Sequence, residues 1–356
     1  MVANILVTGA AGYIGGSIVA DFTSSNDKLL ANANVIASVR SQEQFDALQK
    51  AGLDAIKLDL SDEASVIAAV QERNINIIIH AATSINSTLA KTLITALSKH
   101  QTTNGVQTHF IHTSALSAFF PNTGWPEQEF NDTDDVFGTE KALADSFPVR
   151  TTDVQIIEHA KELGVKSYIV VPCTVYGKGT GAWNQLSVLL PIFISAALAK
   201  KKVYRFPENT KIAAVHISDQ TALYARIVER ILADDPPESG EKGYYFALAH
   251  NLHWHELAAK LATAMKAREL VADEETGTWT NSEDAAEALG VPGMFVQVLW
   301  NSGSNMVAHN EARLGWKPRW SEEDFYAHID DEIQSVVQLG KAKSSLIDSL
   351  RQAARG

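Results

Sequence analysis

The chain is short of most features that would narrow its class at once. It holds one cysteine, Cys173, so no disulfide can form within it, a usage that fits a reducing compartment. At 356 residues it can bury a core large enough to need neither disulfide nor metal. It has no long apolar run. The stretch from Leu186 to Ala199 is broken by Ser187, Pro191 and Ser195, and it falls short of the roughly 20 apolar residues that span a bilayer. It has no basic leader with an apolar centre: Met1-Val2-Ala3-Asn4 runs straight into a strand-like segment, so a secretory signal is not expected. Positive charge is in deficit. The 30 Lys and Arg face 42 Asp and Glu, for a net charge of −12, which argues against nucleic-acid backbones and anionic membranes as partners. Gly-x-Ser-x-Gly and the Walker Gly-Lys-Ser/Thr are absent, which argues against a hydrolase elbow and a P-loop. What remains is ordinary: 46% hydrophobic and 20% charged residues, the composition of a globular protein. A soluble, cytoplasmic protein that takes a small-molecule substrate is the expectation.

The first half alternates short apolar runs with helical stretches. Strands are expected at Asn4–Thr8, Val35–Val39, Ala55–Leu58, Ile75–His80, Thr108–Thr113 and Ser167–Pro172. Helices are expected at Ile14–Thr23, Glu43–Lys50, Glu63–Arg73, Thr88–His100 and Thr152–Leu163. The strand segments are continuously apolar, as parallel strands covered on both faces are. This predicts an α/β fold, a doubly wound parallel Rossmann sheet with its ligand crevice at the carboxyl ends of the strands. The second half is less regular. It suggests a loop at Lys178–Gly181, a buried helix over Gln185–Lys200, a strand over Ile212–Ser218 and a helix over Asp219–Leu232. An acidic loop at Asp234–Gly243, a strand at Tyr244–Ala247 and a helix at His255–Lys266 follow. Glu269–Gly277 reads as a polar, flexible stretch, Asp324–Leu339 as one amphipathic helix, and 341–356 as a polar helix or frayed tail. The division expected is a dinucleotide-binding domain over 1–177, joined by 212–248, and a smaller C-terminal substrate lobe from 178–211 and 249–340.

The strongest local signal is Val7-Thr8-Gly9-Ala10-Ala11-Gly12-Tyr13-Ile14-Gly15, between the first strand and the first helix. Gly9 suits the tight turn, Gly12 lets the backbone approach a diphosphate, and Gly15 lets the helix pack close to the sheet. The helix N-terminus then offers unpaired N–H groups and a positive dipole end to the phosphates. At the end of the second strand Val35-Ile36-Ala37-Ser38-Val39-Arg40-Ser41 holds no acid until Glu43. An acid there would bond a ribose 2′-hydroxyl, whereas Arg40 suits a 2′-phosphate. The cofactor expected is therefore NADP rather than NAD, with Ser38 and Ser41 as further donors. The plain alternative is a solvated loop arginine.

With these segments in place the chain resembles the short-chain dehydrogenase/reductase superfamily in its extended and atypical branches, which include epimerase/dehydratase-like proteins. Thr8–Gly15 is similar to their TGxxGxxG motif. Lys57-Leu58-Asp59-Leu60 resembles their third-strand signature, which would set Asp59 and Leu60 beside the adenine ring. His80-Ala81-Ala82 resembles the segment that lines the cofactor, which would bring Ala81 and Ala82 to it. His112-Thr113-Ser114 resembles the strand whose end carries the catalytic Ser or Thr, with Thr113 beside the cofactor. Val171-Pro172-Cys173-Thr174-Val175-Tyr176-Gly177 resembles the loop that packs by the nicotinamide, which implies contacts from Pro172 and Val175. Val215-His216-Ile217-Ser218-Asp219 and Ala312-Arg313-Leu314-Gly315-Trp316 resemble later family segments. A homodimer is common among such relatives.

The superfamily's Tyr-x-x-x-Lys pair is missing. None of the eight tyrosines, at 13, 168, 176, 204, 224, 244, 245 and 326, has Lys four positions later. By alignment Val149 stands for the Tyr and Asp153 for the Lys. Three readings stay open. A reductase would use Ser114 with Tyr176 or Lys141 as proton donor, Lys178 being a further ammonium. A non-redox epimerase, isomerase or dehydratase would need an acid and a base, for which His112, Glu140 and Asp153 are near in sequence. A catalytically silent protein would sense the nucleotide. The cluster His250, His253 and His255 matches no metal-ligand spacing, and no metal is expected.

Overall fold

A computed structural model describes residues 2–343. Its centre is a seven-stranded sheet in which all neighbours run parallel. Five of its strands are β1 (Asn4–Thr8), β2 (Asn34–Val39), β3 (Ala55–Lys57), β4 (Ile77–His80) and β5 (His109–Thr113). The order across the sheet is Tyr244–Ala247, Lys166–Pro172, β5, β4, β1, β2, β3. The reversal beside β1 is the switch point at which an open parallel sheet leaves a crevice.

Alternate strand residues feed two cores, since successive side chains leave opposite faces. Leu6, Ile36, Ile78 and Phe110 pack against helices Glu63–Glu72, Ser87–Asn104 and Pro148–Glu162. Ile5, Val7, Ile77, Ile79 and Ile111 pack on the other face against α1 (Tyr13–Thr23) and helix Ile217–Leu232. A third core, from Tyr176 to Val336, gathers helices Leu189–Lys200, Trp254–Ala267 and Ile329–Leu339 beside a sheet of Thr174–Tyr176, Lys211–His216 and His250–His253.

Several boundaries differ from the sequence reading. The helix expected from Thr152 begins at Pro148, where a proline's fixed φ and missing N–H suit the first helical position. The buried helix expected from Gln185 begins at Leu189. The segment before it is held by Asn184, whose Nδ2 donates to the Leu186 carbonyl at 3.1 Å. The single helix expected over Asp324–Leu339 is two, Glu322–Ala327 and Ile329–Leu339, meeting at His328. Ser321 and Asp324 form a capping box at its start. Within Glu269–Gly277, the Ala272 N–H donates to the Lys201 carbonyl and Gly277 pairs with Tyr204. Most of the expected tail, 344–356, lies outside the described residues. Among the described residues no helix is long and apolar enough to cross a membrane.

Candidate functional site

The glycine turn is built from backbone. Gly9 sits at φ +70°, and a Cβ on it would lie 2.5 Å from the Ala81 carbonyl oxygen, so the turn rests directly on the segment after β4. Gly15 lies so close that a Cβ would overlap the Gly9 carbonyl. Gly12 is the N-cap of α1, offers no side-chain cap, and precedes a first turn free of acids. First-turn N–H groups have no acceptor within their helix. With no side-chain cap and no acid in that turn, this end fits an anionic diphosphate.

The neighbours of this turn are tied to it. The Ala81 N–H donates to the Thr8 carbonyl at 3.2 Å, and Thr8 Oγ1 and His80 Nδ1 are 2.7 Å apart. His80 is fully buried, and burial, with His112 beside it, holds its pKa well below the ordinary value, so it is neutral. Ala81 and Ala82 stay half-buried at the crevice. The Tyr13 hydroxyl donates to the Gly177 carbonyl at 2.7 Å, and Ile14 beside it is half-buried. Arg40 stands exposed at the end of β2. Ser38 is buried, and Ser41 forms a capping box with Gln44, so its oxygen is already an acceptor. Asp59 is exposed and accepts from the Ser61 hydroxyl at 2.7 Å and the Ser61 N–H at 2.9 Å, which hold its carboxyl below the usual range. Leu60 is half-buried next to it.

The carboxyl end of β5 is different in kind. Thr113 Oγ1 and the Tyr224 hydroxyl are 2.7 Å apart and buried. Ser114 is 3% exposed, and its hydroxyl donates to Asp153 Oδ2, at the position where the superfamily's Lys is expected. Asp153 is fully buried, with His112 Nε2 3.3 Å from its other oxygen. Val149, at the Tyr position, is buried as well. Next to Asp153 lies Glu140, which accepts from the Tyr244 hydroxyl. Burial first, and then Asp153, push the Glu140 carboxyl well above its usual range, which favours its protonated form. Arg150 is buried close by. It donates to the Ala118 carbonyl at 2.7 Å and lies 5.4 Å from the Phe147 ring and 5.9 Å from the Trp125 ring. The result is a closed set of carboxyl, hydroxyl and imidazole groups.

The other two candidate proton donors are elsewhere. Tyr176 is buried and its hydroxyl lies 2.9 Å from His250 Nε2. Burial raises its pKa far above the ordinary value. Lys141 is exposed and pairs with Glu158 at 2.7 Å, so the structure does not bring it to Ser114. Lys178 is exposed in its loop. Pro172, buried, ends the neighbouring strand, and Val175 is half-buried just after it. Tyr244 and Arg150 escaped the sequence reading because no spacing signals contacts such as Tyr244 to Glu140, 104 residues apart, or Arg150 to Ala118, 32 apart. The Pro148 start, which places Arg150 one turn before Asp153 on a buried face, was the available cue. His250 and His255 have separate partners. His255 Nε2 lies 3.0 Å from the Phe206 carbonyl oxygen, and among the described residues no group of three His, Cys, Asp or Glu could hold a metal.

Two cavities are lined by other residues. One of about 510 Å³ is lined by Lys211, Leu248, His250, Asn251 and Met306, beyond the end of the Tyr244–Ala247 strand. The other, about 390 Å³, is lined by Tyr176, Gly177, His216, Trp320 and Glu332.

Comparison with known proteins agrees with this fold. The family described as NAD dependent epimerase/dehydratase matches residues 5–240. Among solved structures, the UDP-glucose 4-epimerase of Thermotoga maritima with UDP-glucose is 17% identical, with a TM-score of 0.63, covering 95% of this chain and 100% of that one. The dTDP-glucose 4,6-dehydratase of Bacillus anthracis with NAD is 14% identical, with a TM-score of 0.63, covering 95% of this chain and 97% of that one. The UDP-glucuronic acid 4-epimerase of Bacillus cereus with UDP-glucuronic acid and NAD is 14% identical, with a TM-score of 0.61, covering 94% of this chain and 99% of that one. At these identities the likeness is one of fold. A search among curated protein sequences found no match.

Proposed function

The chain belongs to the NAD dependent epimerase/dehydratase family, and from that premise we propose that it is an NADP-dependent oxidoreductase acting on a carbonyl or hydroxyl of a small organic molecule. The observation that carries the reading is the hydroxyl–carboxyl pair of Ser114 and Asp153 at the end of a central strand. When bound, the dinucleotide supplies a hydride acceptor or donor. In this reading Thr8, Gly9, Gly12, Tyr13, Ile14 and Gly15 hold its diphosphate end. Arg40 selects the 2′-phosphate. Asp59 and Leu60 flank the adenine, while Ala81, Ala82, Thr113, Pro172 and Val175 line the remainder. Ser114 bonds the substrate oxygen and passes it a proton on reduction. Asp153 re-protonates Ser114 and is itself supplied by protonated Glu140; in oxidation the transfers reverse. The 510 Å³ cavity adjoins the Pro172–Val175 segment, because the Cys173 thiol donates to the Ala247 carbonyl at 2.9 Å, but Ser114 is not in its lining.

The burial of Ser114 favours a second reading, a dinucleotide sensor without turnover. The test has two arms. NADPH and NADH are titrated into wild type and Arg40→Ala. NADPH affinity should fall about tenfold or more, as for loss of a charge-assisted bond, with NADH nearly unmoved; equal losses would refute the phosphate contact. Aldehydes and ketones are then screened by the near-ultraviolet absorbance of the reduced nicotinamide. Ser114→Ala should cut turnover about 100-fold. Product without net use of cofactor would move the assignment to an isomerase. Tight binding with no turnover in any direction would favour the sensor.

A further inference from the structure

The smaller cavity belongs to no step above. Its floor holds the Glu332 carboxylate, 8% exposed. Glu332 Oε1 accepts one neutral donor, the Gly177 N–H, at 2.6 Å. Among the described residues no Lys, Arg or His ion pair reaches Glu332. A buried carboxylate with so little compensation is costly, and burial pushes its pKa up to about 7. Around it stand aromatic rings. His216 stacks on Trp320 at 4.0 Å, and Tyr176 meets Phe325 edge-on at 4.7 Å. Asp331 adds a second carboxylate at the exposed rim, where Lys178 brings one ammonium and His328 one imidazole without an ion pair to Glu332. A buried anion beneath aromatic walls attracts positive charge carried on an apolar body. The volume suits a small organic ligand.

We propose that this cavity is a second ligand site, for a small organic cation such as a primary ammonium or amidinium on a planar apolar group, and that its occupant tightens the glycine turn. The link is one peptide unit. Glu332 holds the N–H of Gly177, and the carbonyl of Gly177 receives the Tyr13 hydroxyl at 2.7 Å. Tyr13 is the first residue of α1. A cation keeps Glu332 ionised, strengthens its bond to Gly177, and so steadies the loop against the helix end. The site itself does not depend on the cofactor reading; the coupling does.

The probe is benzylammonium, with benzyl alcohol and benzoate as neutral and anionic counterparts, followed by ligand-observed NMR on the full chain. Benzylammonium should bind wild type and lose about tenfold or more in affinity in Glu332→Gln, while the two counterparts bind poorly. Should Glu332→Gln not fold, Asp331→Asn at the exposed rim should weaken benzylammonium about twofold, as for a screened surface charge. Failure of benzylammonium to bind, equal binding of all three probes, or unchanged affinity in the variants overturns the site. Saturating benzylammonium should then raise NADPH affinity in wild type. Unchanged NADPH affinity overturns the coupling, and no NADPH binding at all would instead count against the cofactor reading.

Discussion

Two strand-to-helix junctions open on the same edge of one sheet, and they are made of opposite materials. At the end of β1 the chain presents glycine and bare backbone, with Gly12 capping α1 without a side chain. At the end of β5 it presents ionisable side chains with almost no exposure, Ser114, Asp153, Glu140 and His112. In the proposed reading the first junction seats an anion on bare backbone. The second stores and passes protons among buried groups, a setting that strengthens each polar contact and penalises each unpaired one. On that reading, seating a dinucleotide and handling a proton are separable. The loss of Tyr-x-x-x-Lys alters the second junction while leaving the first intact.

The sharpest way to break the comparison is at its empty side. Gly12→Val places a branched side chain where the diphosphate would lie, with its Cβ only 3.0 Å from the Gly9 carbonyl oxygen. NADPH affinity should drop on the order of 100-fold, as read by fluorescence titration, while the circular dichroism spectrum stays that of wild type. Unaltered affinity would mean that the glycine turn is not the seat.

The two junctions also differed in how far the sequence disclosed them. The glycine turn was legible because each of its requirements is local: three glycines, a strand before and a helix after. The end of β5 was legible in position, since a short apolar run ending at Ser114 could be placed by its pattern. The replacement of Lys by Asp153 was visible too. Its consequence was not. Ser114 meets Asp153 across 39 residues, and Tyr244 meets Glu140 across 104. Those meetings are set by crossovers and strand order, which periodicity does not encode. Tyr176 shows the converse. It stands next to cofactor-type residues in sequence, yet its hydroxyl is spent on His250 at 2.9 Å.

Next in size is the filled side. Removing the Glu140 carboxyl strands the Tyr244 hydroxyl and a neighbour of Asp153. Glu140→Ala should therefore cost about 2–4 kcal/mol by denaturant unfolding. Glu140→Gln should not, because an amide imitates the protonated acid. The two states of Glu140 also predict a pH signature. Its folded pKa lies above its unfolded value. Its contribution is complete below the unfolded pKa of about 4.3 and is lost as pH rises toward the folded one. The stability of Glu140→Gln minus that of wild type should thus grow as pH rises above that point. A difference that stays flat with pH would show Glu140 ionised in the native state and remove the proton store.

The smallest effect is expected one residue further on. Lys141 follows Glu140 in the same short helix, yet successive side chains on a helix leave it about 100° apart. Glu140 is buried against Tyr244, whereas Lys141 reaches Glu158 with 57% of its side chain exposed. An exposed pair of this kind is worth about 0–1 kcal/mol and weakens with salt. Lys141→Ala should lower stability by no more than that, and by less at high ionic strength. A salt-independent loss as large as that of Glu140→Ala would mean that the lysine is not solvated in solution, and that the buried set beside β5 extends through this helix to its outer face.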